Sequence, residues 1–376
     1  MNKSFAENDD KRLLALLKSA LWPTGNGACG SIGVDELRRM LALAAEHTVS
    51  ALVANAATSG RVVLDDADSP QRQQTVMGML HTEQAHRAQY ARFRKLLHEM
   101  AALFRAEGIR YVVFKGVAVA SHYNSPWLRT MGDIDFYVVP EDFERAIRAI
   151  EGEWNVIVER DDTDKHYNFD WQGVRFEMHH RIETFGRRHA QLLFDSWMEE
   201  TTMCSAAAID VGGERLRVLP PVADVAVVFK HMTNHMLVEG VGLRQVADVA
   251  VLLYAYRNET DVHELRARLH ALGYLGAFDA VVAMLDTYLG LPCAAQYAPL
   301  TKANRRAARR LIGFVMASGN FGRKAYAGRQ GGWRKSLKTA ATAFGHCAFA
   351  FRLMPKEIMA FVARRTGISI KKNFCR

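Results

Sequence analysis

Two aspartates, Asp133 and Asp135, lie one residue apart in the otherwise apolar stretch DIDFYVV. The alternation in this stretch predicts a strand, on which residues i and i+2 project from the same face. The two carboxylates are therefore expected to lie close together, where each raises the pKa of the other unless a cation lies between them. Mg²⁺ is a cation of the right kind, because it binds carboxylate oxygens and shares its remaining positions with water and phosphates.

The sequence contains two further Asp-x-Asp pairs, Asp66/Asp68 and Asp162/Asp164. The first precedes Ser-Pro and is typical of a turn or a helix start, and the second lies in a polar connection. Only the pair at 133 and 135 lies in an alternating strand, with a strand–Lys–Gly–helix unit before it. The alternative for this pair is a solvent-facing strand whose acids form ion pairs with Lys or Arg.

A third carboxylate is expected from a later hairpin. The stretch KHYNFDWQGVRFEMHH predicts two strands that turn at Gln172–Gly173. In the second strand, one face carries apolar residues and the other carries Arg175, Glu177 and His179. Glu177 is therefore the predicted third metal ligand. His179 shares its face and could reach the same site, with a surface histidine as the alternative.

Two basic positions could bind phosphate. Lys115 and Gly116 close the predicted strand YVVF directly before a short helix, where backbone amides and a lysine can meet a phosphate group. Arg129 lies four residues before the first aspartate of the pair and is a second candidate phosphate ligand. These residues favour the same chemistry as the carboxylates.

Polar pairs on later helices have simpler interpretations. Arg244 and Asp248, four residues apart, would most simply form an ion pair on a helix surface, and lining an acceptor cleft is the alternative. His231 and His235 have a spacing that can chelate a metal, but they flank an apolar stripe. A packing or hydrogen-bonding role is therefore favoured for these two histidines.

The elements that must position these residues indicate an α+β fold. Apolar residues at helical spacing predict helices before residue 107 and again after 220, and the intervening stretch contains the strands, with WNVIVE as a further strand candidate. The expected organisation is a small mixed-sheet core flanked by helical segments. Its predicted divisions are an N-terminal helical segment (1–106), the α+β core (107–220), a helical domain completing the cleft (221–300) and a basic amphipathic segment (301–376).

The composition excludes several classes of protein. With 49% hydrophobic and 24% charged residues in 376, wholesale disorder is excluded. No apolar run is long enough for a transmembrane span and the N-terminus lacks a signal-peptide core, so a cytoplasmic location is expected. The five cysteines form no C-x-x-C pair and no zinc spacing, and we expect them to be reduced thiols without a functional role.

The basic character of the chain is concentrated at its C-terminus. From Lys302 to Arg376, 18 Lys and Arg residues stand against one acid, Glu357, whereas the remaining 301 residues carry 31 basic and 39 acidic residues. The charges are mixed with aromatic and aliphatic residues, which leaves several alternatives open. These are a solvated helical face packed on the body, an anionic membrane surface at the inner membrane face, a nucleic acid or a partner protein.

The stretch FKGVAVASHYNSPWLRTMGDIDFYVVPEDFERA, followed by FEMHHR, resembles an uncharacterised bacterial nucleotidyltransferase family of the polymerase-β-like superfamily. Members share a K-G, an R-x-x-x-D-I-D strand and a later strand with E-x-H, and the resemblance extends over about residues 75–260 into the helix with Arg244 and Asp248. It implies transfer of a nucleoside monophosphate from an NTP such as ATP to an acceptor hydroxyl, with Mg²⁺ or Mn²⁺ and release of pyrophosphate. The acceptor, whether sugar, peptide, protein or RNA, is left open.

The resemblance also implies roles for the residues named above. Asp133 and Asp135 would hold the metal that bridges the triphosphate, and Glu177 would help hold a second metal or act as the base. Lys115 and Arg129 would stabilise charge on the phosphates. Superfamily members usually have Gly-Ser or Gly-Gly at 115–116 and often a third Asp at 177. Replacing either aspartate is expected to abolish turnover with little loss of folding.

Two other functions compete with this one. A degenerate family member would bind nucleotide or a partner without turnover, and the three intact carboxylates count against it. A metal-dependent sugar-nucleotide glycosyltransferase also uses Asp-x-Asp, but its fold needs a run of βα units before that motif. Here about 100 helical residues precede it.

Overall fold

The structure, a computed structural model, describes residues 3–22, 30–65, 69–161, 165–204, 206–238, 240–319, 350–360 and 362–363. The Asp-x-Asp pairs at 66/68 and 162/164, three of the five cysteines and much of the basic C-terminal segment lie outside the described residues.

The N-terminal part is helical, as predicted. It contains α1 (Lys3–Leu21), α2 (Val34–Glu46), α3 (Ser50–Thr58) and α4 (Pro70–Ala106), with two short paired strands, β1 (Ser31–Ile32) and β2 (Val63–Leu64). The longest helix, α4, begins where Ser69 accepts a hydrogen bond from the Arg72 backbone N–H at 3.2 Å. Pro70 occupies its first position, where a backbone N–H is not needed.

A four-stranded mixed sheet follows. Its strands are β3 (Tyr111–Val113), β4 (Asp133–Val138), β5 (His166–Trp171) and β6 (Val174–His179). The spatial order is β3-β4-β6-β5, with β4 and β6 parallel and the two outer pairs antiparallel. The short helix α5 (Gly116–Ala120) lies between β3 and β4, and α6 (Phe143–Trp154) follows β4. The predicted small mixed sheet is confirmed.

The β5–β6 hairpin turns at the predicted residues. Gln172 and Gly173 both have positive φ, 46° and 68°, as a two-residue type I′ turn requires. This turn fixes the register, so that Glu177 of β6 lies on the polar face of the strand while Phe176 and Met178 are buried.

The expectation of a strand at WNVIVE is wrong. Helix α6 extends to Trp154, and Asn155 then adopts a left-handed conformation with φ of 51° that ends the helix. Only Glu159 forms a bridge, to Asn168 of β5. Val158 is buried in the core beside the sheet, whereas Ile157 is 82% exposed. The apolar alternation is therefore present, but the stretch lacks the backbone pairing that makes a strand.

After the sheet the chain is mainly helical, as predicted. The elements are α7 (Arg188–Cys204), the hairpin β7 (Ala208–Val211) and β8 (Glu214–Arg217), α8 (Pro221–Val238), α9 (Leu243–Ala255), α10 (Val262–Leu272), α11 (Leu275–Met284), α12 (Ala294–Tyr297) and α13 (Lys302–Ser318). Among the described residues, no helix is both long and apolar enough to cross a membrane.

The two faces of the central sheet differ in chemistry. The apolar face forms a core with α4 and α6, whose fully buried members include Phe104, Phe136, Ile147, Phe176 and Met178. A second core joins the N-terminal helices to the helices after residue 221 and contains residues from all four predicted segments. The division into four segments stays a prediction. The polar face of the sheet carries the predicted site residues.

The described part of the basic segment packs on the body of the protein. Helix α13 buries Leu311 and Val315 in the second core, while Arg306, Arg309 and Arg310 are exposed. This geometry fits the alternative of a solvated helical face for residues 302–318. Binding of a membrane, a nucleic acid or a partner stays a prediction for the rest of the segment.

Candidate active site

Strands β4 and β6 bring the three predicted carboxylates together. Asp133 and Asp135 project from the same face of β4, and Asp135 is the direct partner of Glu177 across the parallel pair. Asp135 is only 4% exposed. Three carboxylates on one face of a sheet form a site of high negative charge, which needs nearby cations.

Asp135 has two side-chain partners within the chain. Its Oδ1 lies 3.0 Å from the Lys115 ammonium and 3.1 Å from Nε2 of His179. Burial by itself would raise the pKa of Asp135, but the lysine charge and the histidine hydrogen bond outweigh burial and hold it well below its ordinary value. Asp135 is therefore ionised and paired.

Asp133 differs from its neighbour. Among the described residues, no side chain forms a hydrogen bond or ion pair with its carboxylate. Burial, followed by the charges of Asp135 and Glu177, raises the pKa of Asp133 to about 6, although Lys115 and Arg244 act in the opposite direction. This carboxylate lacks a direct cation, which is the condition that a bound metal ion would relieve.

Lys115 occupies an unusual turn between β3 and α5. Its backbone has φ of 54° and ψ of −136°, a conformation that is strained for a residue with a Cβ. Its side chain is 4% exposed. Burial lowers the pKa of Lys115, but Asp135, Glu183 and Glu177 outweigh that effect and raise it overall. The following Gly116 allows close approach, because a Cβ there would lie 3.3 Å from the Asp133 carbonyl oxygen.

Glu183, which sequence reasoning missed, is the second anchor of Lys115. Its side chain is fully buried, and its carboxylate lies 3.8 Å from Lys115 Nζ, 3.0 Å from Lys165 Nζ and 3.3 Å from His231 Nδ1. Asn234 donates a further hydrogen bond at 2.7 Å. Burial raises the pKa of Glu183, but Lys165 and His231 outweigh burial and lower it well below its ordinary value. The sequence carries no pattern that marks Glu183, which stands in the mixed stretch RIETF just after the predicted strand.

The contact to Glu183 also explains the histidine pair of α8. His231 and His235 approach each other at 3.0 Å between their Nε2 atoms, while the other nitrogen of His231 faces Glu183. The favoured hydrogen-bonding role of these histidines is therefore the one that the structure shows.

Arg129 and Asp248 form a buried pair that joins the segment before β4 to α9. Nε and Nη2 of Arg129 each donate to Asp248 at 2.9 Å, and its Nη1 donates to the Thr130 carbonyl at 3.4 Å. The Tyr123 hydroxyl donates to the same carboxylate at 2.8 Å. The guanidinium is thus engaged by protein groups, and its contact with phosphate stays a prediction.

The expectation of a surface ion pair between Arg244 and Asp248 is wrong. Asp248 is 4% exposed and its carboxylate is held by Arg129 instead. Arg244 donates to the Thr130 carbonyl at 3.2 Å. Because the hydrogen bond from Arg129 to Asp248 spans 119 residues of sequence, helical spacing alone could not identify the true partner. Whether Arg244 and Asp248 lie on the acceptor side stays a prediction.

His166 was also missed. It is the direct partner of His179 across the β5–β6 hairpin, and its Nε2 lies 3.3 Å from Glu177 Oε2. His166, Glu177 and His179 are a group whose ligand atoms all lie within 4.8 Å of one another. The sequence did carry a signal, since both histidines stand six residues from the turn at 172–173.

The donor set of the site fits a divalent metal. Asp133, Asp135 and Glu177 offer carboxylate oxygens, which Mg²⁺ and Mn²⁺ prefer. Lys115 and His179 both contact Oδ1 of Asp135, and neither of them contacts Oδ2. A possible metal site therefore exists on this face of the sheet.

The chain matches one family of known proteins. A family model described as an uncharacterised nucleotidyltransferase matches residues 35–290, more than half of the chain. No curated protein matches the chain.

Two solved structures are similar in part. The solution structure of the antibiotic-resistance factor ANT(2'')-Ia is 12% identical with a TM-score of 0.36, and the match covers 48% of this chain and 91% of that one. A crystal structure of an antigenic nucleotidyltransferase-like protein from Paracoccidioides brasiliensis is 11% identical with a TM-score of 0.34, covering 57% of this chain and 96% of that one.

Proposed function

Because the chain belongs to the uncharacterised nucleotidyltransferase family, we propose that it transfers a nucleoside monophosphate from an NTP to an acceptor hydroxyl and releases pyrophosphate. The observation that carries this proposal is the carboxylate cluster of β4 and β6, in which Asp133 has no direct cationic partner among the described residues. The family is described by nucleotidyl transfer rather than glycosyl transfer, which counts against the glycosyltransferase alternative.

Asp133, Asp135 and Glu177 would hold Mg²⁺ or Mn²⁺. When bound, such an ion neutralises charge on the triphosphate and polarises the phosphoryl group that is transferred. The side chain of Glu177 is 22% exposed, whereas that of Asp135 is 5% exposed. Glu177 is therefore our candidate for accepting the proton of the acceptor hydroxyl.

Lys115 would act on the phosphates from a fixed position. Its ammonium is held between Asp135 and Glu183, so the flexible side chain is already ordered before substrate arrives. A preorganised charge in a buried site stabilises developing negative charge more effectively than one in water. Gly116 would complete this side of the site, because it has no side chain to keep the backbone away from the phosphates. Arg129 would act indirectly, by holding the segment before β4 in position.

The acceptor would approach from the side of α8 and α9. His179, Arg244 and Asp248 are the proposed acceptor-side residues, with Asp248 acting through its hold on Arg129 and Tyr123. A sugar, a peptide, a protein and RNA all present hydroxyl groups that fit this chemistry. The base preference of the donor NTP and the location of the protein in the cytoplasm likewise stay proposals.

The direct test is pyrophosphate release from each of the four NTPs with Mg²⁺, using cell extract as the source of acceptor. We expect release with at least one NTP, and loss of release in Asp133→Asn and Asp135→Asn. Asp170→Asn is the matched control, because Asp170 lies exposed on β5 of the same sheet. A labelled NTP would then identify the acceptor.

Two outcomes would overturn the proposal. One is release that persists in both aspartate variants. The other is a folded protein that releases no pyrophosphate from any NTP. Nucleotide binding that survives EDTA without turnover would support the alternative of a degenerate member that binds nucleotide or a partner.

A further inference from the structure

We propose that His166, Glu177 and His179 form a distinct metal site that takes a zinc-class transition ion rather than Mg²⁺. The site goes beyond the proposed nucleotidyl transfer, although it shares Glu177 with the carboxylate cluster. Its donors are two imidazole nitrogens and one carboxylate, a set that suits Zn²⁺, Co²⁺ or Ni²⁺. Mg²⁺ instead prefers oxygen ligands and keeps several waters.

The hairpin register brings the three side chains to one face. His166 and His179 are direct partners across β5 and β6, and Glu177 lies two residues before His179 on the same strand. Side chains of a directly opposed pair, and those two residues apart, project to the same side of a sheet. The type I′ turn at 172–173 fixes this register, so the convergence follows from the backbone.

The distances match the spacing of zinc ligands. Nε2 of His166 lies 3.3 Å from Glu177 Oε2, and Nε2 of His179 lies 3.6 Å from the same oxygen. Around a tetrahedral zinc ion, ligand atoms are about 3.3–3.5 Å apart, because each metal–ligand bond measures about 2.0–2.2 Å. All three ligand atoms lie within 4.8 Å of one another. An ion can therefore be accommodated with small adjustments of the side chains.

The hydrogen bonding of His179 provides an independent reason for a cation. Its Nδ1 lies 3.2 Å from the Arg181 backbone carbonyl, which can only accept, so Nδ1 donates the proton. Nε2 of His179 then faces two carboxylate oxygens, Asp135 Oδ1 at 3.1 Å and Glu177 Oε2 at 3.6 Å. A metal ion bound to Nε2 would have negative charge on two sides, so the surroundings of this nitrogen favour a cation.

The same hydrogen bond is typical of a metal ligand. Histidines that bind metals usually donate their other ring N–H to a backbone carbonyl or a carboxylate, which fixes the tautomer and the ring orientation. The His179 side chain is fully buried, so its orientation is also held by packing, including an edge contact with Phe114. A bound ion would hold Glu177 in place and leave Asp133 outside this donor set.

The test is a Co²⁺ titration of the full, metal-stripped chain without nucleotide, followed by visible absorption. We expect ligand-field bands of nitrogen-bound Co²⁺ that Zn²⁺ displaces and excess Mg²⁺ does not. His166→Ala, and His166→Gln as a second variant, should weaken Co²⁺ binding about 100-fold or more, since loss of a ligand exceeds the effect of losing an outer partner. His189→Ala is the matched control, because His189 is exposed on α7.

The outcomes separate this proposal from nucleotidyl transfer. Asp133→Asn should keep the Co²⁺ bands while losing pyrophosphate release, which would show that the two sites are distinct. Absence of Co²⁺ bands in the unaltered chain, or equal Co²⁺ affinity in the folded His166 variants, would overturn the metal site. Neither result depends on turnover.

Discussion

At the scale of single residues, the two aspartates of β4 have opposite surroundings. Asp135 is paired with Lys115 and His179, whereas Asp133 faces two carboxylates and, within the described part of the chain, has no direct cation. The pKa of Asp135 is consequently lowered and that of Asp133 is raised. The sequence pattern does not distinguish the two residues. The expectation that either can be replaced with little loss of folding therefore has to be tested for each residue separately.

Replacing Asp133 should stabilise the protein in the absence of metal. The folded state raises the pKa of Asp133 from 3.8 to about 6, so the folded state binds the proton more tightly and stability falls as the pH rises through this window. At about pH 7 in EDTA, Asp133→Asn should be more stable by up to about 3 kcal/mol, and the difference should disappear near pH 4. Urea denaturation of both proteins across this range is the measurement.

The control for this prediction is Asp170→Asn, which alters an exposed aspartate of the same sheet. Asp170 pairs with Arg175 at the surface, so its replacement should change the stability by no more than about 1 kcal/mol. Identical pH profiles for Asp133→Asn and the unaltered chain would contradict the raised pKa.

Replacing Asp135 should instead destabilise the fold. Asp135→Asn leaves the buried Lys115 ammonium without its 3.0 Å partner, and removing one member of a buried ion pair costs about 3 kcal/mol or more. Urea denaturation at neutral pH in EDTA measures this loss. Equal stability of the Asp133 and Asp135 variants would show that the ion pair contributes nothing.

Several site residues could not be found from the sequence for a physical reason. Glu183 contacts Lys115, His231 and Asn234, partners that come from a turn before α5 and from α8. Such contacts are fixed by tertiary packing rather than by spacing along an element. The carboxylates of β4 and β6 could be found because their position depends on a period of two within strands.

At the scale of elements, the turn from β3 into α5 stores backbone strain at Lys115. Its φ of 54° and ψ of −136° are accessible to glycine but unfavourable for other residues. Lys115→Gly and Lys115→Ala both remove the charge, so their difference reports on the backbone. We expect the Gly variant to be more stable by about 1 kcal/mol or more, as measured by urea denaturation.

The control pair reverses the sign. At Ala149, inside α6, replacement by Gly should reduce stability by about 0.5–1 kcal/mol, because glycine is unfavourable in a helix interior. A Gly variant of Lys115 that is less stable than the Ala variant would show that the turn is not strained.

The elements themselves were largely predictable where a core enforces the pattern. Strand β4 and the β5–β6 hairpin were expected, since Ile134, Phe136, Phe176 and Met178 are all buried on one face. At WNVIVE one face is also covered, since Val158 is buried and Ile157 is exposed, but α6 extends to Trp154 and the stretch joins the sheet through a single bridge. Periodicity alone therefore does not identify a strand, because a strand also needs a neighbour with which to pair.

At the scale of the whole molecule, residues 350–360 return to the body of the protein. Ala350, Met354 and Ile358 are buried in the large core. Glu357 accepts a hydrogen bond from the Gly186 backbone N–H and lies 3.6 Å from Nε of Arg187. The single acid of the basic segment therefore anchors it near the loop that follows β6.

Replacement by alanine should have different effects at two methionines of this segment. Met354 is 1% exposed and Met359 is 57% exposed. Met354→Ala should reduce the free energy of unfolding by about 2–5 kcal/mol, and Met359→Ala by no more than about 0.5 kcal/mol. Urea denaturation compares them, and equal effects would contradict docking of the segment on the body.

The buried Arg129–Asp248 pair has a consequence for how this protein would distinguish acceptors. It joins the approach to β4 with α9, and the Arg244 backbone N–H donates to the His47 carbonyl at 3.3 Å, which ties α9 to the N-terminal helices as well. A helix that is held at two places cannot move freely relative to the sheet. We therefore expect little hinge motion between α9 and β4 when nucleotide binds, so that an acceptor has to fit the site in its existing shape.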